Sequence, residues 1–180
     1  VIGALAVVKL TGSVLFVGVA VTLMQASRLL VSYPLGKIAD TFGRRLAILV
    51  GLGFSLIGAP LVAASIIWGW FALFLVSTIV FGMGIGATQQ LRVAVADMYP
   101  PQKRGKALGY LLTGSLLGTI VSPAILFGSD TIANNTSISN LALPFFALPF
   151  LMALSILLLS RVRPDPKQIG SELEQYWPGQ

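Results

Sequence analysis

The sequence predicts an all-α, polytopic membrane protein with about five transmembrane helices, and three observations support this prediction. Of the 180 residues, 56% are hydrophobic and only 10% are charged, whereas a soluble domain carries about 25% charged residues. The mean hydropathy is +0.88. The apolar residues also fall into segments of about 20 residues, the length that crosses a hydrocarbon core of ~30 Å. The composition therefore indicates an integral membrane protein.

The charged and polar stretches divide the chain into elements. The five predicted spans cover residues 10–35, 46–66, 71–94, 107–127 and 141–159. Between them we expect a polar loop at 36–45, a tight turn at the aromatic residues 68–70, a charged loop at 96–109 and a nearly uncharged polar loop at 128–140. The pair Pro100-Pro101 ends a helix in the charged loop. Residues 1–163 would form a partial bundle, and 164–180 the start of a cytoplasmic linker.

The positions of lysine and arginine predict the orientation, because these residues are enriched in cytoplasmic loops. The cations beside the spans concentrate in the stretches after the first, third and fifth spans: Lys37, Arg44, Arg45, Lys103, Arg104, Lys106, Arg161, Arg163 and Lys167. The two stretches on the other side hold no cation, and Lys9 stands alone at the start of the first span. We therefore expect a multi-pass protein of the cell membrane whose amino-terminal end is outside and whose carboxyl-terminal end is cytoplasmic.

Several functional classes are disfavoured by what the sequence lacks. It has no cysteine and no histidine, so it offers no thiolate nucleophile, no zinc–thiolate site and no imidazole base. The six acidic residues all fall in loops or at span ends: Asp40, Asp97, Asp130, Asp165, Glu172 and Glu174. A membrane-embedded enzyme would need such groups to converge inside the spans. We expect no enzyme activity, no metal and no cofactor, and we assign the net charge of +6 to the cytoplasmic loops rather than to nucleic-acid binding.

The loop GKIADTFGRR, residues 36–45, is the most specific pattern in the chain. Gly36 and Gly43 would allow close approach and positive φ in a tight turn. Asp40 can face a helix N-terminus, and the two arginines, Arg44 and Arg45, can pair with a carboxylate or with lipid phosphates. An ordinary basic loop would not require this spacing.

This loop resembles the signature between the second and third helices of the major facilitator superfamily, roughly G-x-L-A-D-R-x-G-R-R/K. Six positions match that pattern: Gly36, Ala39, Asp40, Gly43, Arg44 and Arg45. The sequence departs at Ile38, and at Thr41, where a basic residue is usual. Residues 92–97, Pro100 and residues 104–109 resemble the segment between helices four and five. The resemblance covers about residues 10–163, helices two to six of the amino-terminal half, so helix one and the carboxyl-terminal bundle would be missing partners.

The resemblance implies a transporter in which two six-helix bundles rock about a central site. Asp40 would face a helix of the opposite bundle, and Arg44 would pair with Asp97 at the cytoplasmic end of helix four. This charge cluster would latch the outward-facing state, with Arg92 as a further partner and Arg104 in the matching segment. The alternative is that Asp97 merely ends a helix.

The resemblance also implies that helices two, four and five help to line a substrate cavity. Polar residues on the predicted faces of these helices are the candidates: Thr22, Gln25, Thr78, Gln89, Tyr110 and Thr113. The alternative is that they make hydrogen bonds between helices. The residues Gly114, Gly118, Ser122 and Pro123 approximate an antiporter pattern and predict close packing with a kink.

Two departures bear on transport direction. Ser122 replaces a glycine of the antiporter pattern, and Thr78 stands where drug–proton antiporters of this family often carry an arginine, four residues before Gly82-Met83-Gly84. The sequence most resembles drug or small-solute exporters, including efflux antiporters. An importer of sugars or organic solutes and a non-transporting scaffold or sensor remain alternatives. The expected partners are the lipid bilayer and a small-molecule substrate.

Overall fold

The computed structural model describes residues 2–134 and 142–172, and every regular element in these ranges is an α-helix. The helices are Ile2–Thr11 (α1), Leu15–Phe42 (α2), Arg44–Trp68 (α3), Phe71–Asp97 (α4), Arg104–Asn134 (α5), Leu143–Arg161 (α6) and Pro166–Ser171 (α7). Of these, α2, α3, α4 and α6 are long and apolar enough to cross a membrane. The fourth predicted span lies within α5. The predicted class, an all-α polytopic membrane protein, is confirmed.

The first predicted span, 10–35, is wrong at both ends. Gly12 has φ 67° and interrupts the helix after Thr11, so α2 begins only at Leu15. At the other end α2 continues to Phe42 and contains Pro34 within it. Most of the predicted polar loop 36–45 is therefore helical. Charged residues do not break a helix, and the chain contains no residue with positive φ between Gly12 and Gly43.

The stretch before the first predicted span, which the prediction assigned to no element, is also helical. Residues Ile2–Thr11 form a helix that packs against the others. Ala6 and Val7 are fully buried in an apolar cluster with Ala20 of α2 and Val62 of α3. Burial of these side chains explains why so short a helix is held in place.

The remaining boundaries differ from the predictions by a few residues. The aromatic turn at 68–70 is confirmed, since Gly69 adopts the left-handed conformation, φ 69°, and ends α3. Trp68 and Trp70 are both 68% exposed there. The helix α5 continues to Asn134 through part of the predicted loop 128–140, and residues 135–141 lie outside the described ranges. The tail predicted as loop contains α7, and residues 173–180 lie outside the description.

Small residues bring α2, α3 and α4 close together, and α3 against α4 is the most extensive pair. A Cβ added at Gly84 of α4 would meet Ser55 of α3, and one added at Gly58 would lie 2.7 Å from the backbone of Phe81. On the other side of α4, a Cβ at Gly82 would lie 2.9 Å from the Met24 carbonyl of α2. Glycine is therefore required for backbone-to-backbone packing on two faces of α4.

The outer helices pack less closely. Ile48 and Leu52 of α3 contact a cluster of α6 side chains: Met152, Ile156 and Leu159. The helix α5 exposes its apolar residues, with Ile120 at 72%. A Cβ added at Gly114 or Gly118 would meet no atom of the described residues within 4 Å. The predicted close packing of this stripe is thus not made within the described part of the chain. Pro123 lies exposed inside α5, and the side chain of Ser122 is outside the description.

Candidate functional site

The charged residues of the signature loop meet two other segments at one end of the bundle. We call this site the junction cluster: Asp40, Gly43, Arg44, Arg45, Asp97 and Asp165. It lies where α2 ends and α3 begins, at the last residue of α4, and at the start of α7. The end of the bundle that carries it, together with the basic residues near 103–106 and 161–167, is called the basic end below.

Arg44 is the centre of the junction cluster. Its Nε donates to Asp97 Oδ2 at 3.1 Å, and its Nη1 lies 3.5 Å from Asp40 Oδ1. The Arg44 side chain is 20% exposed, Asp97 is 37% exposed and Asp40 is 72% exposed. The pair with Asp97 is the shorter and the better shielded from water, so it contributes more. Asp97 is also the last residue of α4, so it both ends the helix and binds Arg44.

Asp165 is a cluster residue that the sequence analysis did not identify. Its Oδ1 accepts from the backbone N–H of Arg44 at 3.2 Å and its Oδ2 from that of Arg45 at 3.2 Å. The same carboxylate accepts from Lys167 N at 2.8 Å and so caps α7. One carboxylate thus satisfies N–H groups at the start of two helices. The dipeptide Asp165-Pro166 signals the α7 cap, but nothing in the local sequence reveals the contact with α3.

Gly43 is the single residue between α2 and α3. Its backbone has φ 105° and ψ 155°, a region that is essentially restricted to glycine. A Cβ there would lie 2.5 Å from Asp165 Oδ2. Gly43 therefore fits the predicted tight turn for two independent reasons. The same prediction is wrong for Gly36, which lies inside α2, where an added Cβ would meet nothing within 4 Å.

Two further contacts tie the segment after α6 to the junction. Arg45 Nη2 donates to the carbonyl of Ser160 in the last turn of α6, and Lys167 Nζ donates to the carbonyl of Asp40. A cation at a helix C-terminus binds carbonyls that have no partner within the helix. The Arg45 guanidinium thus contacts a backbone carbonyl of α6, a partner that was not among its predicted alternatives. Gly170 lets α7 pack against the end of α4, since a Cβ at Gly170 would lie 3.0 Å from the Asp97 carbonyl oxygen.

Two predicted members of the latch do not join the junction cluster. Arg92 is exposed on α4, and within the described ranges it forms no ion pair with Asp97. Arg104 Nε donates to the carbonyl of Tyr99 at 3.2 Å. Arg104 therefore closes the turn between α4 and α5 rather than contacting Asp97.

The substrate candidates separate into two groups. Five are exposed on the surface of the bundle: Thr22 and Gln25 on α2, Gln89 on α4, and Tyr110 and Thr113 on α5. Thr113 donates to the carbonyl of Gly109 in its own helix at 3.0 Å. Thr78 is only 7% exposed and lines an apolar cavity of about 250 Å³ inside the bundle, together with Met24, Phe74 and Phe81. Thr78 is thus buried, whereas the other five are exposed.

The sequence analysis also overlooked Arg28, which lies near the middle of α2. Its Nε is buried and has no hydrogen-bond partner among the described residues. The signal was available, because an arginine eight residues before Gly36 cannot belong to the loop at the end of the helix. A cation inside a membrane span is unusual and indicates function.

Comparison with known proteins agrees with this architecture. The chain is 29% identical over 166 residues to the uncharacterized MFS-type transporter YddS of Bacillus subtilis (strain 168), covering 92% of the chain and 38% of that protein. It is 27% identical over 176 residues to the riboflavin transporter RfnT of Brucella anthropi, covering 93% and 43%. A third relative, multidrug resistance protein 3 of Bacillus subtilis, is 32% identical over 99 residues, covering 50% and 19%.

The chain spans about two fifths of the length of the first two of these relatives. Both of these two relatives are named as transporters. The sequence pattern of the Major Facilitator Superfamily matches residues 1–176, nearly the whole chain. The chain therefore belongs to the Major Facilitator Superfamily.

Proposed function

We propose that this chain is the amino-terminal part of a secondary transporter that moves a small molecule by alternating access, and that the junction cluster is its conformational latch. The single observation that carries the proposal is the position of Arg44. Arg44 is the first residue of α3, and its side chain binds Asp97, the last residue of α4. Its backbone N–H donates to Asp165, which follows α6 in the chain. Three elements of one bundle are thus held at the basic end by charged contacts.

The strength of these contacts suits a switch. The Arg44 contacts are partly exposed, so each contributes about 0.2–1 kcal/mol, the range of exposed ion pairs. Contacts of that size bias an equilibrium between two states without locking it. Asp40, with 72% of its side chain exposed, is available to a second bundle at the basic end. A latch of this kind would form when the two bundles close at this end and break when they separate.

We further propose that the transporter is an exporter of drugs or other small solutes. The similarity to multidrug resistance protein 3 over half of the chain supports export. The riboflavin transporter similarity supports the alternative, import of an organic solute. If transport is proton-coupled, the proton carrier lies outside the five spans predicted here, because none of them carries an acidic residue at mid-depth.

Transport assays on the full-length gene test the proposal. Cells that lack their own major efflux pumps would express it and be loaded with ethidium, fluorescein or riboflavin. An exporter lowers the accumulation of at least one probe, and an importer raises it. Arg44→Ala removes both ion pairs and should reduce either change severalfold while the amount of protein in the membrane stays the same. If no probe in a broad panel moves and Arg44→Ala has no effect on any phenotype, the scaffold or sensor alternative is favoured.

A further inference from the structure

Arg28 lies at a depth where a cation is costly. The 28-residue helix α2 has Arg28 near its midpoint, so about 20 Å of helix extends to either side at ~1.5 Å per residue. With the ~30 Å hydrocarbon core centred on the helix, each membrane surface would lie about 15 Å along α2 from Arg28, beyond the reach of its side chain. A charged side chain at the centre of a span costs about 2.5–3.5 kcal/mol even on the mildest scale. A cation at this position is compensated by an anion, by backbone carbonyls or by a water-filled cavity.

The described residues do not supply this anion. The ion pairs they contain involve Arg44 and not Arg28. The Nε of Arg28 is buried without a hydrogen-bond partner in the same ranges. The acidic residue nearest along α2 is Asp40, more than three helical turns towards the basic end. The guanidinium thus has capacity for an anion that comes from outside this part of the chain.

Among the described residues, the two helices that meet at Arg28 offer neutral donors near it and no acid. Gly86 of α4 lies beside it, since a Cβ at Gly86 would be 3.4 Å from Arg28 Cα. Gln25 precedes Arg28 by one turn of α2, and Gln89 follows Gly86 by one turn of α4, and both are exposed. Arg92 adds a second exposed cation on α4. Residues three apart in a helix lie on one face, so Gln25 shares a face of α2 with Arg28, and Gln89 shares the face of α4 that carries Gly86.

We infer that Arg28 binds an anionic group of the transported solute, a carboxylate, sulfonate or phosphate, halfway through the membrane. A guanidinium can bind such a group through two parallel hydrogen bonds, and the Gln25 and Gln89 amides can each donate another. If Arg28 only balanced a charge within the protein, exposed amide donors on both α2 and α4 would not be required. The inference rests on the proposed transport function, to which it adds the substrate class.

Thiol labelling tests this inference without requiring turnover. The chain contains no cysteine, so Gln25→Cys can be the only thiol of the full-length protein once cysteines elsewhere are replaced. The labelling rate with the anionic reagent 2-sulfonatoethyl methanethiosulfonate is divided by the rate with the cationic 2-trimethylammonioethyl reagent. An uncompensated charge one helical turn away should favour the anion, so Arg28→Gln should lower this ratio about tenfold. Benzoate should slow labelling when Arg28 is present.

Two matched variants separate charge from structure. Arg28→Lys keeps the charge and should keep the ratio. Lys37→Gln removes an exposed cation near the basic end of the same helix and should also leave it unchanged. Equal ratios with and without Arg28 would overturn the inference, since the rest of the protein would then supply the counter-ion. It would also be overturned if neither reagent reacted or if benzoate gave no protection. An Arg28-dependent ratio in a protein that moves no solute would contradict transport but not the anion site.

Discussion

Replacing Gly43 by alanine perturbs the junction cluster in a way that the structure makes quantitative. Gly43 has φ 105° and ψ 155°, and a non-glycine residue in that region costs about 1–3 kcal/mol. The added Cβ would also lie 2.5 Å from Asp165 Oδ2. The carboxylate must then move, and its hydrogen bonds to the backbone of Arg44 and Arg45 are stretched or lost.

The two effects together give the expected size of the loss. A hydrogen bond to a charged group contributes about 1.5–3 kcal/mol, and the partial exposure of Asp165 favours the lower end of that range. With the backbone strain, Gly43→Ala should lower the free energy of unfolding by about 3–5 kcal/mol. For an unfolding unit of about 150–250 residues such a loss lowers the melting temperature by roughly 6–20 °C, and for a unit twice as long by about half as much.

Thermal unfolding of the purified full-length protein in detergent measures this change. Gly53→Ala is the matched control, because Gly53 lies inside α3 and a Cβ there would meet nothing within 4 Å. It should leave the melting temperature unchanged or raise it slightly, since alanine favours a helix. Combining Gly43→Ala with Asp165→Ala should cost less than the sum of the two single changes, because the clash is then removed. A melting temperature for Gly43→Ala equal to that of the Gly53→Ala control would refute this reasoning.

Three other predictions concern topology, capping and completeness. Single cysteines at Thr41 and Gln102 should both be protected from an impermeant reagent outside intact cells. A cysteine at Ser137, which lies outside the described ranges, should react with it. Labelling of Thr41 and Gln102 from opposite sides would contradict the topology. Asp165→Ala removes the cap of two helix starts and should destabilise the protein by about 1.5–3 kcal/mol. Asp165→Asn should cost less, because the amide oxygen can still accept; equal effects would assign the role to charge alone. The 180 residues alone should give no saturable flux in liposomes, because the family's cavity lies between two bundles. Co-expression with a matching second half and helix one should restore flux. Saturable flux by the 180 residues alone would contradict this prediction.

The helical membrane architecture could be predicted from composition because apolar segments of span length have few other solutions. The exact helix ends could not. Sequence reasoning ended the first span at the first charged residues, but Lys37 and Asp40 continue α2, and only the positive φ of Gly43 interrupts the chain. Helix propensity varies little among such residues, so it does not locate an end without a cap or a glycine.

The junction cluster was predictable only in part. The spacing of Asp40 and Arg44, one helical turn apart, follows from sequence, and the family resemblance suggested Asp97. Asp165 caps α3 from 120 residues away, and contacts at that separation depend on how α6 packs on α3. Thr78 shows the same limit, because its burial in an apolar cavity depends on which face of α4 meets α2. Arg28 was identifiable, since its depth in α2 follows from counting residues.

The pair formed by Arg44 and Asp97 is the most direct test of the latch. We would measure the initial rate of transport by the full-length protein with Arg44→Ala, Asp97→Ala and both changes together, each at an equal amount in the membrane. If the two residues act as one contact of about 1 kcal/mol, each single change should lower the rate by up to about fivefold. The double variant should be no slower than the slower single one. Normal transport by Arg44→Ala, or losses that multiply in the double variant, would contradict the latch.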